Sequence, residues 1–177
     1  AINGLEGRYG TTGTPKKFWA AWNEEELSEA LFLELKNRKV STETQEKIFQ
    51  NRSAETYDWY QQLTSKPLAV TDQDRLIISL FKPERILEIV QSYILHDLKS
   101  GKIVARYQQY FGVKALLKRI MQKDAEGRRQ GGVIWHTTGS GKSYTMLFLS
   151  RALLQKATLK QCRIVVITDR VDLESQL

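Results

Sequence analysis

One stretch constrains this chain more than any other: Gly131 to Ser143, GGVIWHTTGSGKS, with the change of hydrophobic period that follows it. Gly131-Gly132 breaks what precedes, and Val133-Ile134-Trp135 is a short apolar run that predicts a buried strand. Then come the small residues Thr137-Thr138-Gly139-Ser140-Gly141, and then Lys142-Ser143. From Tyr144 onward Met146, Leu149 and Leu153, with Leu147 and Leu154 beside them, recur at helical spacing. Strand, glycine loop, Lys-Ser and helix in that order are the context of a phosphate-binding P-loop.

The residue types suit that chemistry. Glycines let successive backbone N–H groups turn into one concave nest around an anion, and the helix N-terminus adds partial positive charge. Thr138, Gly139, Ser140, Gly141 and Tyr144 are the expected nucleotide-binding positions. Lys142 is expected to reach the β- and γ-phosphates of ATP, and the Ser143 hydroxyl to complete the coordination of Mg²⁺. Lys142 and Ser143 are thus the candidate catalytic pair. His136 stands where the first glycine is usual, which predicts altered loop geometry with binding retained. The plainer reading is a glycine-rich turn that only caps a helix.

A second apolar run, Cys162 to Ile167, has the near-continuous β-branched character of a strand covered on both faces, so the two runs and the helix between them predict a βαβ unit. Earlier in the chain, helices are expected after Glu24-Glu25-Glu26, over Glu43–Phe49 and over Ala54–Leu63. Asp72 to Leu80 carries the apolar run Leu76-Ile77-Ile78. Pro83 opens a helix with Ile86, Leu87, Ile89, Val90, Tyr93, Ile94 and Leu98 on one broad face, which Gly101 is placed to end. Another helix runs through Val113, Leu116, Leu117, Ile120 and Met121, and Gln122–Gln130 is a charged loop. Residues 1–22 are rich in Gly and Thr and read as short strands or an ordered loop, with Pro15 able to start a helix reaching Trp22.

Charge separates the two parts of the chain. Residues 1–100 hold 13 Lys/Arg against 15 Asp/Glu, whereas residues 101–177 hold 14 against 5, within a net charge of +7. The basic excess travels with the glycine loop and suits a polyanion beyond the nucleotide; a solvated basic face is the alternative. A single cysteine excludes an internal disulfide and fits a reducing cytoplasm, and two histidines with one cysteine make no zinc site. No apolar run approaches the length of a membrane span. Glu34-Leu35-Lys36 matches half of a restriction-type nuclease site, but the first aspartate is Asp58, so the partner carboxylate upstream is missing and both residues read as solvent-facing.

Several segments together resemble the restriction (motor) subunit of type I restriction-modification enzymes, a superfamily 2 helicase-like family. They are Tyr9-Gly10-Thr11 with Phe18 and Trp22, Pro83 to Leu87, Arg106-Tyr107-Gln108-Gln109-Tyr110, Gly132 to Ser143, and Val166 to Arg170 with Leu173 and Gln176. Within that family Trp-His-Thr before the loop is the usual form. The resemblance implies an α/β fold: part of a P-loop (RecA-like) parallel-sheet motor lobe over 101–177, a mainly helical connector over 23–100, and the end of a nuclease-side region over 1–22. It implies an ATP-dependent translocase and site-specific deoxyribonuclease acting on double-stranded DNA, in the cytoplasm, with separate modification and specificity subunits and no membrane. Gln109 is then expected to read the adenine edge, its alternative being an exposed helix glutamine. Thr168 and Arg170, beside Asp169, are expected to contact the DNA backbone. The acidic Walker B motif, the arginine finger and the nuclease carboxylates of the family have no counterpart in these residues, so the expectation is an internal piece that turns over no ATP alone. A kinase or GTPase, or a non-catalytic nucleotide-binding module, shares the loop and remains open.

Overall fold

A computed structural model describes residues 1–97, 101–137, 139–159 and 161–167. Among them are seven α-helices and one two-stranded antiparallel sheet. They divide into two compact units, one of residues 1–8 and 24–81, the other of residues 9–23 and the described residues from Lys82 onward.

The first unit is helical: α1 Glu29–Lys36, α2 Thr42–Phe49, α3 Ala54–Leu63 and α4 Asp72–Leu80. Each begins where a Ser or Thr hydroxyl accepts an N–H that has no partner within the helix. Ser28 accepts from Leu31, Ser41 from Thr44, Ser53 from Thr56 and Thr71 from Asp74, and the Asp74 carboxylate in turn accepts the Thr71 N–H. Glu25 and Glu26 lie in bends ahead of the Ser28 cap, and the acidic residue in the first turn of α1 is Glu29.

Phe49 joins α2 to α3 through ring contacts with Tyr57 and Tyr60, at 5.3 and 5.0 Å between centroids. Glu29 and Arg75 tie α1 to α4 by a two-pronged ion pair, and the Arg75 guanidinium lies 5.2 Å from the centre of the buried Phe32 ring. Lys36 is not solvent-facing as expected; its ammonium is 2.7 Å from the largely buried Asp74 carboxylate. Burial alone would raise the Asp74 pKa, but the bonds from Lys36 and Thr71 outweigh it and hold the carboxyl below its usual range. Glu34 is exposed and pairs one turn on with Arg38.

The second unit contains α5 Pro83–Ser92, β1 Ile94–Asp97, β2 Gly101–Val104, α6 Tyr107–Met121 and α7 Lys142–Gln155. Its core is aromatic. Tyr110 contacts Trp22 at 5.4 Å and Tyr93 at 4.8 Å between centroids, and Tyr93 reaches Phe148 of α7 at 5.8 Å. The buried Arg85 guanidinium lies 5.5 Å from the ring centres of Trp22, Tyr110 and Phe111. Such contacts lower the cost of keeping a cation out of water.

Three expectations for this unit are overturned. The helix opened by Pro83 stops at Ser92, and Ile94–Asp97 instead pairs with Gly101–Val104, Ile94 opposite Val104 and Asp97 opposite Gly101. Leu87 and Val90 lie on the solvent side of α5, whose buried residues are Arg85 and Ile89. Gly101, at φ +72°, starts a strand and terminates no helix, and Leu98 lies outside the described residues. The second correction is to the sheet. Residues 131–137 and 162–167 form no strand, and Val133, Trp135 and Ile167 are each 91% exposed. A parallel strand is held by ladder bonds on its flanks, and no described residue supplies them to either run. The segment from Pro15 also falls short of a helix to Trp22: a 3-10 turn, Lys16–Phe18, is followed by Ala20 bridged to Tyr9.

Candidate functional site

The glycine loop meets α6 through one side chain. Gln109 lies in the first turn of α6 and is 3% exposed, so it is not the exposed helix glutamine that the sequence left open. Its Oε1 accepts the Arg106 N–H at 2.8 Å, which satisfies one donor at the start of the helix. Its Nε2 donates to the carbonyls of Gly141 at 3.1 Å and Ser140 at 3.3 Å. The amide therefore fastens the loop to the helix while Oε1 keeps one lone pair.

The loop itself depends on two glycines with positive φ, Gly139 at +79° and Gly141 at +83°, a region that side chains rarely adopt. Gly141 also allows close approach, since a Cβ there would lie 2.6 Å from Gln109 Nε2. Gly141 caps α7, which starts at Lys142, and its carbonyl accepts the N–H of the buried Thr145 at 3.1 Å. The exposed Lys142 folds its ammonium back to the Thr137 carbonyl at 3.3 Å. Ser143 is half-buried in the same first turn, which contains no acidic residue. His136 packs toward α6, its Nε2 3.4 Å from where a Cβ on Gly112 would stand.

A cavity of about 560 Å³ opens beside the loop. Gln109, Gly139, Ser140, Gly141 and Tyr144 all line it, so the structure brings five of the expected binding residues together. The lining is shared by Gly10, Gly13, Thr14, Pro15 and Phe18 from the N-terminal segment and by Lys102, Ile103, Val104 and Arg106. Sequence reasoning did not place that N-terminal segment at the site. Its signals were the Gly- and Thr-rich composition and the resemblance carried by Tyr9-Gly10-Thr11 and Phe18. Lys142 and Ser143 flank the cavity in sequence but are not among its lining residues. Thr138, Thr168 and Arg170 lie outside the described residues.

The site can be tested for fit to a nucleoside triphosphate. Ser140 Oγ and His136 Nδ1 are buried without a hydrogen-bond partner, one in the loop and one at its entry. A buried hydroxyl without a partner costs free energy that a phosphate oxygen can recover. Together with the positive-φ glycines and a cavity of ligand size, these residues fit the group. Among the described residues no three His, Cys, Asp or Glu side chains converge on a metal position. A magnesium ion here would have Ser143 as its protein ligand, with phosphate oxygens and water completing the shell, which is how that ion is commonly held.

The model of the SWI2/SNF2 ATPase family matches residues 108–177. The chain is 38% identical over 111 residues to a putative type I restriction enzyme MjaIXP endonuclease subunit of Methanocaldococcus jannaschii, covering 60% of this chain and 10% of that protein. It is 42% identical over 107 residues to the type I restriction enzyme HindI endonuclease subunit of Haemophilus influenzae, covering 58% and 10%. The chain is similar to type I restriction endonuclease subunits. It spans about a tenth of the length of the curated relatives it matches. No solved structure matches it. The matched ATPase region begins at Gln108, next to Gln109, and runs through the glycine loop and α7.

Proposed function

We propose that this chain carries the ATP-binding part of an ATP-dependent translocase and site-specific deoxyribonuclease subunit of a type I restriction-modification system. The observation that carries the reading is the junction of Gln109 with the Ser140 and Gly141 carbonyls at one end of a ligand-sized cavity. A helix glutamine that meets both the cavity and the phosphate loop can report base identity to the residues that grip phosphate. Its remaining lone pair on Oε1 and its shared Nε2 protons suit the donor and acceptor of an adenine edge.

On this reading the backbone N–H groups of Gly139 to Ser143 and the α7 N-terminus hold the β- and γ-phosphates, and Ser140 Oγ gains its missing partner. Lys142 exchanges the Thr137 carbonyl for phosphate oxygens. Ser143 and Tyr144 complete the first turn of α7, the Ser143 hydroxyl facing magnesium. Bound Mg²⁺-ATP supplies the phosphoryl group whose transfer drives movement along DNA. Thr168 and Arg170 are assigned to the backbone of double-stranded DNA. The modification and specificity subunits are the further partners, and the cytoplasm is the compartment. No described helix is long and apolar enough to cross a membrane.

The domain reading goes with it: residues 1–22 end a nuclease-side region, 23–100 connect, and 101–177 begin the motor lobe. In that lobe Val133–Trp135 and Ile164–Ile167 join a parallel sheet. Their apolar exposure is what strands awaiting neighbours present.

The experiment is ATP turnover by the full-length subunit with its partners, with and without double-stranded DNA. Turnover that rises severalfold or more on adding DNA and prefers ATP to GTP is expected. Phosphate transfer to a small molecule without DNA dependence would favour a kinase. Preference for GTP would favour a GTPase. Nucleotide binding without any turnover would leave only a binding module.

A further inference from the structure

We propose that the segment Gly10 to Phe18 is the base-side wall of the nucleotide site and that the Phe18 ring stacks on the nucleobase; this rests on the nucleotide reading above. The cavity lining is of two kinds. Gly139, Ser140 and Gly141 contribute backbone and hydroxyl groups, which suit phosphate, whereas Pro15, Phe18 and Ile103 contribute apolar surface, which suits a flat ring.

The wall is built, not draped. Tyr9 and Ala20 exchange two backbone hydrogen bonds at 2.9 Å, closing the segment at its base. The Tyr9 hydroxyl donates to the Ala105 carbonyl at 2.8 Å, and Thr11 Oγ1 donates to the Lys102 carbonyl. Burial pushes the Tyr9 phenol far above its usual range, so it remains a donor at any physiological pH. Within the segment Trp19 Nε1 donates to Thr14 O at 2.8 Å, and Phe18 N to Pro15 O at 2.9 Å. Gly10 lets the strap lie close to the Trp19 ring, where a Cβ would stand 3.0 Å from Cδ1.

These bonds hold Phe18 at the cavity while leaving it 55% exposed, whereas Trp22, Tyr93 and Tyr110 of the same unit are buried. An aromatic ring fixed by its backbone at a cavity and kept out of the core has a face to offer. The Lys17 ammonium lies 4.9 Å from its centroid, so the ring already takes part in a π contact with a small group. A nucleobase is the flat partner that a phosphate loop lining the same cavity brings with it. Base–aromatic stacking tolerates any base, so Phe18 contributes affinity and leaves base choice to Gln109.

The test compares ATP with inorganic tripolyphosphate as ligands of the full-length subunit, by equilibrium binding, in Phe18→Leu and Phe18→Trp. Phe18→Leu keeps apolar bulk and loses the π face. It should weaken ATP by about tenfold, in line with the stacking of one base, and leave tripolyphosphate unchanged. Phe18→Trp should restore ATP. Equal affinity of wild type and Phe18→Leu for ATP, or equal loss for both ligands, would overturn the proposal. Lys142→Ala is the control: it should weaken both ligands. If it weakens neither, the phosphate-loop reading itself is wrong, an outcome separate from a failure at Phe18 alone.

Discussion

Lys142→Ala is expected to remove ATP turnover from the full-length subunit while leaving its thermal unfolding nearly unchanged. The side chain is exposed, and its bond to Thr137 O at 3.3 Å is long and water-accessible. Substitutions at such positions shift stability by no more than about 0.5 kcal/mol. The effect on rate is of another order. Phosphoryl transfer depends on positioning and charge stabilisation, and removing one preorganised donor to the developing charge costs about a hundredfold to a thousandfold. Steady-state phosphate release and a melting curve on the same preparation check both halves. Wild-type turnover in the variant would refute the assignment of Lys142, whereas a large drop in melting temperature would mean that the lysine is structural.

The second large effect is expected at Gly141, and its neighbour Gly139 supplies the comparison. Both adopt positive φ, so alanine at either strains the backbone by about 1–2 kcal/mol. At Gly139 a Cβ meets nothing within 4 Å. At Gly141 it meets Gln109 Nε2 at 2.6 Å, which is closer than side chains sit, so the amide must move away. Gly141→Ala then loses the two bonds from Gln109 to the loop, each worth about 0.5–1.5 kcal/mol net. The expected result is a clearly larger fall in denaturant midpoint and in ATP affinity for Gly141→Ala than for Gly139→Ala. Equal losses at the two positions would show that the Gln109 junction contributes nothing to the site.

What could be read ahead of the structure follows from the range of the interactions. Helices α2 and α3 match the expected spans because their signals are local, whereas α4 was read only as an apolar run; the Ser41, Ser53 and Thr71 hydroxyls that start all three reach only three residues on. Pro83 announces α5 for an equally local reason, its fixed φ at the first helical position. The end of α5 is not local. Ile86 to Ile94 keeps helical spacing, yet Ile94 is taken into a hairpin by Val104, ten residues on, and nothing in the periodicity reports that competition. Lys36 is the same lesson in charge: its partner Asp74 lies 38 residues away, and without it a lysine on a helix reads as solvated. The strand expected at Val133–Trp135 needs flanking strands that no described residue provides, so composition alone could not tell that the run is unpaired among the described residues.

The glycine loop was legible as a tight turn because its signal is local, and Gly139 and Gly141 do take positive φ. Its attachment was not, since the Gln109 bonds to Ser140 and Gly141 span 31 and 32 residues. The N-terminal part of the cavity lining is more distant still, with the Tyr9 hydroxyl reaching Ala105 across 96 residues. Gln109 itself could be singled out only through the resemblance. Its burial and its two roles, at the helix start and at the loop, emerge from the packing.

The central claim is that Gln109 and the loop from Gly139 to Tyr144 form one nucleotide site, and amide hydrogen exchange on the full-length subunit tests it most directly. Exchange is compared with and without Mg²⁺-ATP under conditions that hold the protein folded. The account predicts slowed exchange for the amides of Ser140 to Tyr144 and for the first turn of α6 around Gln109, with α2 and α3 unchanged. Protection confined to other segments, or none in the loop at saturating nucleotide, would contradict it.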